Sequence, residues 1–502
     1  MQIDPPLAAW LRSGAGRGAA CERVIETSIS WVWLYGDFAL KLKKPLDLGF
    51  LDFTTPEKRH WAAAREIAFN RLNAPDIYRG VRAVTREGRA TFALDGAGAV
   101  VDWAVDMARF DERAVLSERS EAIDLDFAER MGRKIARFHI EAARGAAGGG
   151  AAGLRAVLGS NARQLRSLSA VLDNHAVEDL IARSAGALAK IAPLLDRRLG
   201  GGFVRCCHGD LHLGNILARG GDAVLFDCIE FNDAYREIDI LYDLAFLLMD
   251  LDFRGQRAAA NRVLNAWLDE AARAFDTTHW DGLAALALFQ SARAAVRAHV
   301  KGREGDIAAA RAYLLAARTA LGAPAPALVA VGGLSGTGKT TFARALAPRL
   351  GLAPGAVVLR SDEVRKRLFG LAPTDKLPHD SYTETASRTL YREMMAAVDR
   401  CLASGCSVVV DAAFLDPLER AQAEAAAAAA GVAFHGVWLE TPVAVMQERL
   451  EARRGDASDA DTRVLALQLA RDVGPVTWAK AGSTDMTATV ERVAARLGLA
   501  AI

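Results

Sequence analysis

In the stretch CCHGDLHLGN, residues 206–215, a histidine, a glycine and an aspartate stand together, and an asparagine follows the aspartate by five positions. An aspartate so placed can accept the proton of a substrate hydroxyl, and the asparagine can ligate magnesium beside a terminal phosphate. That chemistry needs a second acidic ligand on a neighbouring strand. The run AVLFDCIEF supplies Asp227, twelve residues past Asn215, a spacing that closes a hairpin and brings Asp210, Asn215 and Asp227 to one site. His208 reads as a scaffold for the loop. Asp243, in REIDILYDLAF, fits either a hydrogen-bond partner of that loop or an ordinary helix cap.

A kinase built around such a loop also needs a lysine on an early strand and a glutamate on the next helix. FALK places Ala39 and Lys41 on one strand face, the alanine for the base and the lysine for the phosphates, with Lys43 as the alternative on the same face. Glu66, in the middle of AAREIAFNRL, is the expected partner. Glu57 is better read as a capping box begun at Thr54 and Pro56. Only 11 of the 62 basic residues are lysine, so a lysine inside a motif is informative.

A second set of residues lies in GGLSGTGKTT. Gly333, Gly338, Lys339 and Thr340 make GxxxxGKT, with Ser335, Gly336, Thr337 and Thr341 completing a loop between strand-like ALVAV and helix-like FARALAPRL. That context marks a phosphate loop: glycines let backbone N–H groups face the phosphates, Lys339 reaches the β- and γ-phosphates, and Thr340 ligates magnesium. Asp362, in LRSDEVRKRL, ends the next strand, where it can meet an acceptor hydroxyl; the alternative is that Ser361 and Asp362 cap the helix that follows. Asp411 ends SVVVD and is expected to support magnesium. Arg449, Arg453 and Arg454 suit a closing lid over the phosphates, or a solvated helix face.

The elements that must hold these residues follow from periodicity. VWLYGDFALKLK, 32–43, predicts two strands around Gly36-Asp37; helices are expected at 56–72, with Trp61, Ala64, Ala68 and Leu72 on its apolar face, and at 125–142, on Phe127, Met131, Ile135 and Phe138. Residues 230–320 are largely helical, and GAAGGGAAG, 145–153, reads as a flexible surface loop. LGAPAPAL, 321–328, reads as a stiff linker. Beyond it, short apolar runs alternate with helices, the pattern of a parallel sheet covered on both faces. The expected fold classes are an α+β first part, residues 1–322, with a small lobe at 20–105 and a helical lobe at 106–320, and an α/β second part, 327–502.

Residues 327–502 resemble the small P-loop kinases, the group of gluconate kinase, chloramphenicol phosphotransferase and the zeta toxins. Through HGDLHLGN and its partners, residues 24–315 resemble the aminoglycoside phosphotransferase family, which implies a protein-kinase-like fold. KLKKPLDLGFLDFTTPEKR joined to HGDLHLGN and a C-terminal P-loop is similar to bacterial bifunctional aminoglycoside phosphotransferase/ATP-binding proteins. The chain departs from kinases at the first hairpin: no GxGxxG precedes it, and ETSIS, 26–30, must serve. Nor does an acidic cluster offer a grip for a polycation, Asp250 and Asp252 being the nearest candidates.

A formal charge of +1 with no long basic run argues against nucleic acid. No segment reaches about 18 uninterrupted apolar residues, and MQIDPPLAAW lacks the pattern of a signal peptide, so a cytoplasmic protein without a membrane span is expected. The six cysteines form no CxxC pair and are expected as reduced thiols. Together these readings predict two magnesium-dependent sites moving the γ-phosphoryl group of ATP, with GTP left open, to hydroxyls of small molecules. The alternatives are a single active P-loop kinase or ATPase regulated by a catalytically weak, ligand-sensing first half, and a nucleotide switch that uses water alone. Oligomeric state is not legible.

Overall fold

A computed structural model describes residues 3–452 and 457–499. By packing, the chain forms two compact units. One holds the residues through Ala122 with Ala142–Gly153 and Val204–Asp243; the other holds Ile123–Glu141, Leu154–Phe203 and the chain from Leu244 onward.

The first unit is built on an antiparallel sheet of β1 (Arg23–Glu26), β2 (Ser30–Leu34), β3 (Phe38–Lys43), β4 (Tyr78–Arg86), β5 (Phe92–Leu94) and β6 (Ala99–Ala108), in the order β1-β2-β3-β6-β4-β5. β2 and β3 close on the Gly36-Asp37 turn with Lys41 opposite Val32. In ETSIS the Thr27 hydroxyl accepts from the Ser30 N–H at 2.9 Å, tightening a short polar turn. Strand alternation gives the sheet two apolar faces. Trp31, Trp33, Leu40 and Leu42 pack with Leu7 and Leu11 of α1 (Pro5–Arg12); Leu34, Ala39, Val105 and Met107 pack with Ala63 and Ile67 of α2 (Pro56–Asn70).

The buried face of α2 differs from the one its apolar spacing predicts. Ala62, Ala63, Glu66, Ile67 and Asn70 are buried, whereas Trp61 is 50% and Leu72 74% exposed, and Ala64 and Ala68 face solvent. The Arg65 guanidinium lies 4.6 Å from the Trp61 ring centroid, which suits an indole left at the surface. The helix cap also shifts by one: Thr55 accepts from the Lys58 N–H, while Thr54 bonds Asp52, so Glu57 closes no box with Thr54.

After α3 (Leu125–Glu141), the glycine-rich stretch is pinned where flexibility was expected. The N–H groups of Ala146 and Ala147 donate to the Glu237 carboxylate at 2.9 and 3.0 Å, a side chain at Gly148 would meet the Ala234 carbonyl, and α4 (Gly150–Arg166) starts inside the stretch. These glycines serve close approach. Past α5 (Asn174–Gly200), the first unit resumes with β7 (Val204–Cys206), the hairpin β8 (Ile216–Arg219) and β9 (Asp222–Leu225), α6 (Asp233–Arg236) and β10 (Glu237–Asp239), which pairs with β7.

The second unit contains α3, most of α4, α5, most of α7 (Ile240–Phe253), α8 (Arg257–Ala271), α9 (Leu286–Arg303) and α10 (Ile307–Ala320). α5, α7, α9 and α10 share a core of Leu180, Phe246, Met249, Ala294, Ala298 and Tyr313. The same unit holds a parallel sheet of β11 (Ala327–Gly332), β12 (Val357–Arg360), β13 (Val408–Asp411), β14 (Ala433–Glu440) and β15 (Ala479–Gly482), ordered β12-β13-β11-β14-β15. Its helices are α11 (Lys339–Leu346), α12 (Ser361–Leu368), α13 (Glu384–Ala403), α14 (Pro417–Ala430), α15 (Val443–Ala452), α16 (Thr462–Ala470) and α17 (Met486–Arg496). Valines of β11, β13 and β14 pack under Phe342 and Leu346 of α11. Both expected sheet types are thus present. All six cysteines are free, and among the described residues no helix is long and apolar enough to cross a membrane.

Candidate active sites

The β8–β9 hairpin is the device that gathers the first site. Its strands pair from Ile216↔Leu225 to Arg219↔Asp222, and the Phe226 N–H donates to the Asn215 carbonyl at 3.1 Å, so Asn215 and Asp227 leave the hairpin at the same end. The Asn215 amide nitrogen donates to the Asp210 carboxylate at 3.0 Å and to its carbonyl at 2.9 Å. Side chains of Asp210 and Asp227 stay 40% and 42% exposed, open to a substrate. Asp227 takes φ +62°, and its N–H donates to the Tyr78 hydroxyl. For an aspartate that left-handed backbone is tolerable but uncommon, a sign that the surroundings dictate it.

Behind the loop, the buried Asp243 carboxylate accepts from the N–H groups of His208 and Gly209 at 3.0 and 2.9 Å. Of the two readings open for Asp243, the structure selects the loop partner. His208 is fully buried, its Nε2 donates to the Phe226 carbonyl at 2.9 Å, and burial holds its pKa below the ordinary value. A neutral ring bonding backbone on both sides is a strut rather than a proton carrier.

Lys41 Nζ meets Glu66 Oε1 at 2.9 Å and Asp227 Oδ1 at 2.5 Å. Burial works against the lysine charge, but Asp227 and Glu66 outweigh it and hold its pKa well above the usual value. Glu66 is fully buried; burial would raise its carboxyl, yet Lys41 and Lys43 hold it below the ordinary range. Lys43 binds Glu66 at 2.5 Å and also pairs with Glu230, so it braces the acid while Lys41 faces Asp227. Beside Lys41 and Asp227 a cavity of about 160 Å³ is lined by Ala39, Val32, Met107 and Phe226. Sequence reasoning missed Glu230, Tyr78 and Asn70, whose side-chain oxygen accepts from the Cys228 N–H at 2.9 Å. The helix phase of Asn70, four residues past Glu66, was the available signal.

In the second unit β11 runs into the loop Gly333–Gly338 and α11 opens at Lys339, the strand-loop-helix order expected. Gly333, Gly336 and Gly338 all have positive φ, and a side chain at Gly336 would collide with the Met446 backbone. Lys339 Nζ folds back to the carbonyls of Gly333 and Leu334 at 3.0 and 2.9 Å. The Thr340 hydroxyl donates to Asp411 at 2.6 Å, bringing two predicted metal-supporting residues together. Ser335, Thr341, Asp362 and Arg449 line the same cavity, of about 880 Å³. The Thr337 side chain instead turns inward to the Leu334 carbonyl.

Asp362 sits in the first turn of α12. Burial raises its carboxyl, opposed by Arg360 and reinforced by Asp411. Arg449 donates to the carbonyls of Ser483 at 2.9 Å and Gly336 at 3.4 Å. Arg453 and Arg454 lie outside the described residues. Missed from sequence were Gln468, which accepts from the Ser335 N–H at 2.7 Å, and the buried Arg360, whose guanidinium reaches Thr340 at 3.3 Å and Asp411 at 3.4 Å. Nothing marks an arginine before a Ser-Asp pair as internal.

A profile described as the phosphotransferase enzyme family matches residues 57–286, and one described as an AAA domain matches 328–474. An uncharacterized protein of Mycobacterium tuberculosis (strain ATCC 25618 / H37Rv) is 31% identical over 472 residues, covering 89% of each chain. One from Mycobacterium bovis (strain ATCC BAA-935 / AF2122/97) matches to the same extent. Among solved structures, a choline/ethanolamine kinase family protein from Mesorhizobium loti is 14% identical, covers 63% of this chain and 94% of its own, and gives a TM-score of 0.38. A gluconokinase from Sinorhizobium meliloti is 22% identical, covers 34% of this chain and 96% of its own, and gives 0.23.

Proposed function

We infer the activity from one premise: this chain belongs to the two-domain family that joins a phosphotransferase enzyme domain of kinase-like fold to a C-terminal P-loop kinase domain. It is a phosphotransferase. We propose more narrowly that it carries two separate magnesium-dependent sites, each moving the γ-phosphoryl group of ATP to a hydroxyl of a small molecule.

The observation that carries this reading is that each site holds a complete set of parts: a cation for phosphates, a carboxylate for the acceptor proton and a pair of oxygen donors. In the first these are Lys41, Asp210, and Asn215 with Asp227; in the second Lys339, Asp362, and Thr340 with Asp411. Both donor pairs suit a hard cation such as magnesium. When bound, magnesium neutralises charge on the phosphoryl oxygens. The protein does the rest. Glu66 holds Lys41 charged and aimed, Asp210 takes the hydroxyl proton, and the Ala39–Phe226 cavity takes the base. In the second site Asp362, raised by burial, is suited to accept a proton, and Arg449 offers positive charge beside the loop.

The test follows the γ-phosphate of labelled ATP, with magnesium, into a pool of small cytosolic metabolites. Asp210→Asn and Lys339→Ala should each remove a different labelled product, or successive steps of one. If Asp210→Asn changes no product while Lys339→Ala removes all, the first site is not a phosphotransferase site. Release of inorganic phosphate whatever is added would leave an ATPase instead.

A further inference from the structure

β12 is an edge strand of the parallel sheet, paired on one side by β13. Such an edge normally presents open backbone groups. Here α8 closes it with side chains. Asn265 accepts from the Val358 N–H at 2.6 Å, and the Ala356 carbonyl accepts from Asn261 at 3.0 Å and Asn265 at 3.3 Å. The two asparagines stand four residues apart on one helix face, so each reaches the same side of the strand.

At the carboxyl end of β12 the contact becomes ionic. Arg360, 4% exposed, touches Thr340 and Asp411 with one part of its guanidinium and donates to Glu363 Oε1 with another, at 3.0 Å. Glu363 Oε1 also lies 3.5 Å from Arg133 of α3 and 3.8 Å from Arg344 of α11. Arg133 continues to Asp269 of α8 at 2.7 Å, and Arg344 to Glu129 of α3 at 2.9 Å. Asp269 returns to α12 through Arg367 at 2.9 Å. Every one of these residues is within the second unit. Arg360, Glu363 and Asp269 are buried and the other members partly so, and displacing one partner leaves a buried charge less compensated.

We propose that Arg360 and Glu363 are positioning residues of the P-loop site, tying its Thr340–Asp411 pair to α3 and α8, so that nucleotide at the P-loop is registered in those two helices. The helices belong to the stretch matched by the phosphotransferase family profile, not to the P-loop match. Thr340 and Asp411 are the residues that would hold metal beside the phosphates, and Arg360 is the group that touches both. By linkage, whatever stabilises α3 and α8 then favours nucleotide at the P-loop. This inference rests on the reading that the loop at Gly333–Thr341 binds nucleotide.

Hydrogen exchange of the full chain, with and without adenylyl imidodiphosphate and magnesium, tests it. In the parent, exchange in residues 125–141 and 257–271 should slow at least threefold, together with protection of 333–341. Lys339→Ala should lose both effects, which separates them from nucleotide at the first site. Glu363→Gln should keep protection of 333–341 and lose it in the two helices. Arg133→Lys, on the far side of Glu363 from the P-loop, keeps the charge without the fork, should give the same split and serves if Glu363→Gln does not fold. Helices unmoved in the parent while 333–341 is protected, or equally protected in Glu363→Gln, would overturn the inference. Absence of any Lys339-dependent protection at 333–341 would instead bring down the P-loop reading and this inference with it.

Discussion

Under the proposed function, the two candidate sites solve one chemical problem with opposite economies of sequence. In the second unit nine consecutive residues, Gly333–Thr341, form the proposed phosphate cradle, while Asp362, Asp411 and Arg449 join it from elsewhere. In the first, Lys41 must find Glu66 and Asp227 across 25 and 186 residues, and each ion pair exists only when the sheet, α2 and the β8–β9 hairpin are all in place. A local site tolerates loosening of its surroundings. A dispersed one is as fragile as the least stable element that feeds it.

The largest effects expected are the catalytic ones, and they should be selective. Asp210→Asn is expected to lower transfer to its own product by about 10²–10⁴-fold, the range for a lost general base. Lys339→Ala should cost its own product about 10²–10³-fold, as loss of a preorganised charge does. Each should leave the other product within about twofold. Product-resolved assays with the acceptor of each step supplied directly read both, and a substitution that then depresses the two products equally would contradict the separateness of the sites.

Glu66→Gln probes the dispersed site through stability. It leaves Lys41 and Lys43, both buried, with less compensating charge, and breaking a buried pair costs about 3–5 kcal/mol. Urea unfolding followed by tryptophan fluorescence should show it, alongside loss of the first product. Lys339→Ala, by contrast, should move unfolding less, since its Nζ donates to two carbonyls of its own loop rather than across distant elements.

The same contrast decides what was legible in the sequence. GxxxxGKT sits in one window, and its strand, loop and helix could be read directly. Asn215 and Asp227 flank one hairpin with Asp210 just before it, and were nearly as plain. Lys41 and Glu66 needed the resemblance to choose them from several candidates. What escaped was polar residues turned inward. The apolar spacing of α2 pointed to Trp61 and Leu72, which are exposed, because Glu66 and Asn70 on the buried face read as surface. Asn261, Asn265 and Arg360 were invisible for the same reason: a polar residue with a buried partner has no one-dimensional signature. Glycines 145–153 looked flexible because close backbone approach and mobility leave the same composition.

Acid should separate the units next. His279 and His299, both in the second unit, are held down to about 4 by burial, and His208 in the first is lowered too. A histidine kept neutral in the fold takes up a proton in the unfolded chain near pH 6.5, so the unfolded state binds more protons below that value. Stability is therefore full above about pH 6.5 and declines as pH falls toward 4, by up to about 1.4 kcal/mol per pH unit for each histidine. With the partly buried His435, also lowered, three such groups set the second unit against one in the first. Urea midpoints at pH 7.5, 6.5, 5.5 and 4.5 should fall more steeply for the second unit, and His279→Gln should remove about one proton from that slope.

The smallest expected effect is also the cleanest way to ask whether the units unfold apart. Thr55 caps α2 with a single hydrogen bond of 3.4 Å, whereas Asp416 caps α14 in a full box with Glu419, its carboxylate bonding the Leu418 N–H at 2.9 Å. Removing a cap costs about 0.5–2 kcal/mol, and the longer, unreciprocated bond belongs at the low end. Asp416→Ala is thus expected to cost about 1 kcal/mol and Thr55→Ala about half that, with both products unchanged. If the units unfold independently, each substitution shifts one transition and leaves the other in place. If a single transition responds to both, the dispersed site and the local one draw on one shared stability, and the fragility assigned to the first is common to the chain.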